Sequence, residues 1–164
     1  MAQRQVHSRD DREEPSPSQR YARYMAERRH DVTLAAGFAR TLPFELDDFQ
    51  KQADDALEAG RNVLVAAPTG AGKTVVADFA VFLARHRGVK AFYTTPIKAL
   101  SNQKYHDLVD LYGSDAVGLL TGDTSVNSEA DIVVMTTEVL RNMLYERSTT
   151  LDRLGYVILD EVHY

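Results

Sequence analysis

The feature that constrains this chain most is a glycine-containing loop, Ala67-Pro68-Thr69-Gly70-Ala71-Gly72-Lys73-Thr74. An apolar run at residues 63–66 precedes it, and a helix-like segment at residues 75–85 follows it. The order strand, glycine loop, helix is typical of a phosphate-binding loop, because glycines let backbone N–H groups approach an anion that the helix N-terminus also faces. Ala67 stands where the usual pattern has its first glycine, which weakens the match but does not change how the loop works. Because a strand-like and a helix-like segment flank the loop, we predict a phosphate site here rather than an ordinary turn with a surface lysine.

Two side chains of this loop and an acidic pair far along the chain have complementary chemistry. Lys73 can reach the β- and γ-phosphates of a nucleotide, and the Thr74 hydroxyl can hold Mg²⁺. Asp160 directly follows the apolar residues 156–159, so it would emerge at a strand end and hold the same ion, usually through water. Glu161 would then orient or deprotonate an attacking water. A solvated acidic pair is the alternative interpretation, which the loop upstream disfavours.

Composition limits the class of protein. The chain has 164 residues, of which 44% are hydrophobic and 26% charged, as expected of one globular domain. Its formal net charge of -5 gives no overall basic surface, so any nucleic-acid contact must be local. The absence of cysteine excludes disulfides and thiolate metal sites. No apolar run has membrane-spanning length and the N-terminus is not a signal peptide, so we predict a cytoplasmic protein.

Strand-like and helix-like segments alternate along the chain. Strands are predicted at residues 63–66, 89–94, 117–120, 132–135 and 156–159, and helices at residues 46–60, 75–85, 101–112 and 137–145. This alternation predicts an α/β fold with a parallel sheet and helices on both faces. Ligands of such sheets bind at the carboxyl ends of the strands. Five candidate residues follow predicted strands: Gly70, Pro96, Gly122, Thr136 and Asp160. We expect one sheet edge to carry them all.

The N-terminal region is less informative. Residues 1–18 are charged, contain prolines and have almost no apolar side chains, which predicts a disordered polar leader. Residues 19–43 are predicted to form a helical lead-in, in which residues 19–29 have helical spacing and a basic end. We interpret that basic end as a solvated face, with nucleic-acid contact as the alternative. Residues 34–44 are apolar but give no clear pattern.

Gln50 has two interpretations. It lies three residues after Asp47, where the partner residue of a helix capping box belongs. Its carboxamide could instead donate to and accept from the edge of an adenine at once, with an aromatic residue such as Phe44 stacked on the base. The residues alone favour the cap.

Several motifs together resemble one protein family. Asp160-Glu161-Val162-His163 is a DEVH form of the DExH box, and with the phosphate loop it resembles a superfamily 2 helicase. Residues 94–105 (TTPIKALSNQKY), 120–123 (LTGD) and 135–141 (MTTEVLR) look like successive motifs of the Ski2/Mtr4 branch of DExH-box helicases, in a bacterial, actinobacterial-type form. Phe44 and Gln50 are similar to the adenine-contacting pair of that branch, which reverses the preference for a simple cap.

The resemblance carries specific expectations. It implies a P-loop NTPase with a RecA-like first motor domain over residues 44–164. In the intact enzyme this domain would use ATP and Mg²⁺ to translocate on and unwind nucleic acid, with RNA favoured over DNA. His163, the last residue of the DEVH motif, has two interpretations: it could couple nucleotide state to a neighbouring element, or simply cap the end of the fragment. The resemblance assigns nucleic-acid backbone contact to these residues: Pro96, Lys98, Asn102, Gln103, Gly122, Thr136 and Thr137. Some of these residues also have a simpler explanation when they are taken singly. Thr136 or Thr137 could be a helix N-cap, and Gly122 could belong to a turn. Lys98 could be a solvated lysine.

The resemblance also implies that this chain is incomplete. It stops after the DExH box, so the family's Ser-Ala-Thr motif and its second RecA-like domain, which would supply an arginine finger, are expected to be missing. We therefore expect this fragment alone to have little ATPase activity and no unwinding activity, and its last strand to fray. The alternative functions are a nucleotide-binding interaction module without catalysis, and a P-loop kinase, for which the sequence offers no lid or acceptor pocket.

Overall fold

The computed structural model describes residues 16, 18–21 and 33–162. Most of the predicted leader, most of the predicted helix at 19–29, and His163 lie outside the described residues. Residues 18–21 form a helical turn. Five helices follow: α1 (Leu34–Ala39), α2 (Asp48–Glu58), α3 (Lys73–Arg87), α4 (Lys98–Tyr112) and α5 (Thr137–Glu146), with a 3₁₀ turn at Thr149–Leu151.

The strands form one five-stranded sheet. They are β1 (Lys90–Thr95), β2 (Val117–Leu120), β3 (Ser125–Val126), β4 (Ile132–Thr136) and β5 (Leu154–Leu159), in the order β3-β2-β4-β1-β5. All neighbouring pairs are parallel except β2 with the short β3. The predicted α/β fold with a largely parallel sheet is confirmed. Because β1, β2, β4 and β5 are parallel, their carboxyl ends meet at one edge.

Both faces of the sheet are covered by helices, as predicted. On one face, Tyr93 and Val134 pack with Val81 of α3 and Leu108 of α4. On the other face, the strand residues Phe92, Val133 and Met135 pack with Leu140 and Met143 of α5. The strand residues alternate between these two clusters because successive side chains of a strand point to opposite faces. Strands β1, β2 and β4 are therefore buried in the middle layer, whereas β5 at the side of the sheet leaves Val157 and Leu159 45% and 54% exposed.

The strand predicted at residues 63–66 is not formed, and that prediction is wrong. The segment before the phosphate loop has no regular structure, and the side chain of Leu64 is 85% exposed. Its apolar composition predicts a strand, but a strand also needs a neighbour with which to exchange hydrogen bonds. Among the described residues β5 pairs with β1 alone, and residues 63–66 do not extend the sheet beyond β5.

Helix boundaries differ from the prediction where caps decide them. α3 runs from Lys73 to Arg87 because a left-handed glycine lies at each end, Gly72 (φ 78) and Gly88 (φ 64). α4 begins at Lys98, three residues before the predicted start, directly after the bend at Pro96 and Ile97. None of the helices within the described residues is long and apolar enough to cross a membrane.

Asp54 of α2 is a buried acid with an unusual environment. Its side chain is fully buried, and neither carboxyl oxygen has a hydrogen-bond partner among the described residues. Burial, reinforced by the neighbouring Asp55, raises the pKa of Asp54 from 3.8 to about 7. The folded protein therefore keeps the Asp54 proton over a pH range in which the unfolded chain has released it.

This difference predicts a pH-dependent stability. Between about pH 4 and about pH 7 the folded state binds more protons than the unfolded state, so the free energy of unfolding falls as pH rises, by up to about 4 kcal/mol. Urea unfolding at about pH 5 and about pH 8 measures it. Asp54→Asn should flatten this dependence, whereas Asp110→Asn, a change at an exposed aspartate, should leave it intact. Equal pH slopes for Asp54→Asn and the unmodified protein would contradict the assignment.

Candidate active site

The phosphate loop has the backbone that the sequence predicts. Gly70 (φ 83) and Gly72 (φ 78) both have left-handed backbone conformations, which residues with a Cβ rarely adopt. The loop is closed by the Ala71 N–H, which donates to the carbonyl of Pro68 at 3.2 Å. α3 begins immediately afterwards, so the N–H groups of its first turn and the positive end of its dipole face the loop.

The ammonium group of Lys73 lies over this loop. Its Nζ donates to the carbonyl oxygens of Ala67 at 2.7 Å and Pro68 at 3.0 Å. The side chain is thus folded back along the loop and held in reach of any anion that the loop binds. Phosphate oxygens would compete with these two carbonyls, and they carry the charge that a carbonyl lacks.

Gln50 links α2 to the phosphate loop. Its Oε1 accepts from the Asp47 N–H at 2.8 Å, which completes the predicted capping box. Its Nε2 donates to the carbonyl of Gly72 at 2.9 Å, and a Cβ on Gly72 would lie only 2.6 Å from Nε2. The Gln50 amide retains one N–H and one lone pair for another partner, and the side chain of Phe44 is half-exposed. Adenine contact by these two residues stays a prediction.

The acidic pair lies at the end of β5, as predicted. The Asp160 N–H donates to the carbonyl of Thr94 at 3.0 Å, which continues the pairing of β1 with β5. One carboxylate oxygen of Asp160 accepts from the Tyr93 hydroxyl at 2.7 Å, and the other from the Glu161 N–H at 2.9 Å. Glu161 has a left-handed backbone (φ 52), a conformation that is uncommon outside glycine and frequent at functional sites.

The phosphate loop and the acidic pair share one cavity. Thr74, Asp160 and Glu161 line a cavity of about 170 Å³ at the carboxyl edge of the sheet. The residues that line its other side come from β1 and α4: Tyr93, Thr95, Leu100, Gln103, Lys104 and Asp107. The two halves of the predicted chemistry, Thr74 and the acidic pair at Asp160 and Glu161, are far apart in sequence and meet in space.

The oxygen atoms in this cavity suit a magnesium ion bound together with a nucleotide. A threonine hydroxyl and a carboxylate are hard oxygen ligands of the kind that Mg²⁺ prefers. In the part of the chain that the structure describes, no group of three or more acidic or histidine side chains could hold a metal by itself. An ion here would need phosphate oxygens and water to complete its shell, which is the usual arrangement in nucleotide sites.

The residues predicted to contact nucleic acid lie mainly along the same sheet edge. Pro96 and Lys98 follow β1, Gly122 follows β2, and Thr136 ends β4 as the N-cap of α5. Thr136 accepts from the Val139 N–H at 3.4 Å, so the cap interpretation applies to it in this structure. The hydroxyl of Thr137 also has a local partner, because its Oγ1 donates to the carbonyl of Thr95 at 3.3 Å.

Two of the predicted nucleic-acid residues have environments that the sequence does not reveal. Gln103 lines the cavity of the acidic pair rather than the outer edge, and Asn102 beside it is half-buried. Lys98 Nζ contacts both carboxylate oxygens of Asp123, at 2.8 and 2.6 Å. This ion pair, which joins the start of α4 to the loop after β2, lowers the pKa of Asp123. Nucleic-acid contact by these residues stays a prediction.

Three residues near the acidic pair were not predicted from the sequence. They are Tyr93, Lys104 and Asp78. Burial and the nearby Asp160 carboxylate raise the pKa of the Tyr93 hydroxyl above its usual range, so it remains a hydrogen-bond donor. One sequence feature could have indicated this cluster. Asp78 is an acid within the apolar run of α3, and a charge at such a position needs a partner.

A glycine loop with its lysine at the start of a helix, beside an acidic pair at the carboxyl end of a parallel strand, defines a P-loop nucleotide-binding domain. Within that class, the chain belongs to the DEAD/DEAH box helicase family, whose family model matches residues 47–164.

Individual relatives agree with this family. Over 127 aligned residues, which cover 77% of this chain, the sequence is 65% identical to "Probable helicase HelY" of Mycobacterium tuberculosis. It is 51% identical, over 126 positions and 77% of this chain, to "Antiviral helicase SKI2" of Saccharomyces cerevisiae. The chain spans only 14% of the mycobacterial relative and 10% of the yeast relative. The resemblance to actinobacterial Ski2-type helicases is confirmed.

A solved structure supports the fold. The crystal structure of a hypothetical ATP-dependent RNA helicase from Sulfolobus tokodaii superposes with a TM-score of 0.58 at 26% identity. The superposition covers 79% of this chain and 41% of that one. The chain thus has the architecture of a RecA-like helicase domain.

Proposed function

We propose that residues 44–164 are the first motor domain of an ATP-dependent helicase of the Ski2 type. The observation that carries this proposal is the shared cavity, in which Thr74 of the phosphate loop faces Asp160 and Glu161 of the DExH box. A nucleotide seated on the loop would place its terminal phosphate beside the acidic pair. Family membership supports the same assignment.

Each predicted residue of the nucleotide site has a separate task in this proposal. The loop N–H groups and Lys73 bind the β- and γ-phosphates. Glu161 orients the attacking water and accepts its proton, since phosphoryl transfer depends mainly on positioning and electrostatics. Thr74 and Asp160 would hold Mg²⁺, which neutralises the charge on the phosphates when it is bound.

We propose single-stranded or partly duplex nucleic acid, with RNA favoured, as the partner at the carboxyl edge of the sheet. Loop N–H groups, the threonines that begin α5 and the Lys98 ammonium group would contact the phosphate backbone, which carries no sequence information. Such binding is compatible with the net charge of -5, because it needs local donors rather than a basic surface. RNA is favoured because two similar proteins are named RNA helicases, DExH11 of Arabidopsis thaliana and the Sulfolobus tokodaii protein.

The decisive experiment measures ATP turnover with and without added nucleic acid. It uses a protein that contains this chain within the length of its relatives. We expect turnover to rise on addition of single-stranded RNA, and to rise less with DNA of the same sequence. Nucleotide binding without turnover under all conditions would favour an interaction module instead, and phosphate transfer to a small acceptor would favour a kinase.

The Lys98–Asp123 pair provides a separate prediction about the nucleic-acid edge. Asp123 neutralises the lysine that is proposed to contact phosphate, so Asp123→Asn should tighten binding of a labelled RNA oligonucleotide about two- to fivefold at about 50 mM salt. The gain should shrink at about 200 mM salt because counterions screen the exposed charge. Fluorescence anisotropy measures both values. Asp115→Asn removes an exposed carboxylate elsewhere and serves as the control. A change by Asp123→Asn no larger than that of the control would place Lys98 outside the contact surface.

A further inference from the structure

Behind the acidic pair, four polar side chains from separate parts of the fold form a continuous chain of contacts. Asp160 accepts from the Tyr93 hydroxyl at 2.7 Å. The ammonium group of Lys104 lies 4.8 Å from the centre of the Tyr93 ring and 2.8 Å from the Asp78 carboxylate. The chain therefore runs from β5 through β1 and α4 to α3, the helix that begins with Lys73.

The burial of these residues limits how they can move. Tyr93 is fully buried, and the side chains of Lys104 and Asp78 are 12% and 29% exposed. A buried hydroxyl that loses its partner is costly, so Tyr93 and Asp160 hold each other in place. A cation over the ring face and its carboxylate partner restrain the ring in turn.

The position of this chain relative to the cavity indicates its role. Tyr93, Lys104 and Asp160 all line the cavity that contains Thr74 and Glu161. The Tyr93 hydroxyl occupies one Asp160 oxygen and the Glu161 N–H occupies the other. The orientation of the carboxylate plane is thus fixed before any ligand arrives, as outer-shell hydrogen bonds commonly do for ligating groups.

We propose that Tyr93 is a positioning residue for Asp160, and that Lys104, anchored by Asp78, holds the Tyr93 ring in the orientation that this requires. The inference rests on the proposed function, because it takes Asp160 as the carboxylate that faces the magnesium ion of a bound nucleotide. Tyr93 itself touches neither ion nor nucleotide in this scheme. Its effect passes through Asp160.

The test is the magnesium dependence of nucleotide binding. A fluorescent ATP analogue is titrated into the 164-residue chain and into a protein of the relatives' length, at a series of Mg²⁺ concentrations and in EDTA. Tyr93→Phe keeps the ring and removes the hydroxyl. We expect it to raise the Mg²⁺ concentration for half-maximal binding about tenfold, while the affinity in EDTA stays unchanged. Tyr105→Phe, which removes a hydroxyl from a half-buried tyrosine of α4, should leave both values unchanged.

A second variant tests the same link from the other end. Lys104→Met combined with Asp78→Asn removes both charges together and leaves neither buried without a partner. We expect the same direction of change as in Tyr93→Phe, and thermal unfolding identifies any variant that has simply lost its fold. This double variant then decides the question if Tyr93→Phe does not fold.

The outcomes separate this inference from the proposed function. If Asp160→Asn shifts the magnesium dependence and neither the Tyr93 nor the Lys104 variant does, the positioning role is overturned and the nucleotide site stands. If binding by the unmodified protein shows no dependence on Mg²⁺ and Asp160→Asn changes nothing, the proposed function fails. A change in EDTA affinity equal to the change with Mg²⁺ would indicate a merely structural role for Tyr93, and would overturn the inference.

Discussion

Replacing Lys73 with alanine is expected to lower the affinity of this chain for ATP by about 100-fold or more. The ammonium group lies over the phosphate loop, 2.7 Å from the carbonyl of Ala67. A bound nucleotide would exchange such neutral carbonyl contacts for charged phosphate oxygens. Charge-assisted hydrogen bonds contribute about 1.5–3 kcal/mol each, so the loss of one or two of them accounts for the expected change. Titration with a fluorescent ATP analogue in the presence of Mg²⁺ measures it.

A matched control separates this effect from a general loss of positive charge. Lys51→Ala removes an exposed lysine from α2, and its affinity for the nucleotide should stay within about twofold of the unmodified protein. The thermal unfolding of both variants should be similar, since within the described residues the Lys73 ammonium group donates only to loop carbonyls. Binding by Lys73→Ala that matches the control would mean that the loop does not hold the phosphates.

The architecture was accessible from the sequence because local patterns encode most of it. Glycines at both ends of α3 and the alternation of apolar strands with amphipathic helices are read directly from neighbouring residues. The interpretation of residues 63–66 failed for the opposite reason. Their apolar composition resembles that of β2 or β4, but pairing depends on a neighbouring strand, and no local pattern reports whether one is present. The two-residue β3 was missed because it is too short to have a pattern.

The candidate site was predictable in its motifs and not in its supporting contacts. Lys73, Thr74, Asp160 and Glu161 each lie in a short pattern whose spacing reflects phosphate chemistry. Tyr93 looks like an ordinary core residue of a strand, and Lys104 like a solvated helix residue. Their importance comes from meeting Asp160 and Asp78 across elements that are distant in sequence. Gln50 illustrates the intermediate case, since the cap was predicted and the hydrogen bond to Gly72 was not.

The second large effect is expected at Glu161. Glu161→Gln keeps the size and shape of the side chain and removes the group that accepts a proton from water, so ATP turnover should fall by about 100-fold or more. Nucleotide affinity should change little, because the phosphate loop and Lys73 are untouched. The backbone of Glu161 is held by the Asp160 carboxylate at 2.9 Å, and this contact does not involve the substituted group. The variant should therefore retain bound ATP without hydrolysing it.

Two measurements on the same variant make this prediction specific. Nucleotide affinity is measured by titration, and phosphate release is measured in a protein of the relatives' length that contains this chain, with single-stranded RNA present. Glu146→Gln, a change at an exposed residue near the end of α5, should leave both values unchanged. A loss of turnover that accompanies an equal loss of affinity would point to a damaged nucleotide site. Normal cycling by Glu161→Gln would instead assign the positioning of water to another group, and the side chains that line the same cavity, Gln103 and Asp107, would be the next to test.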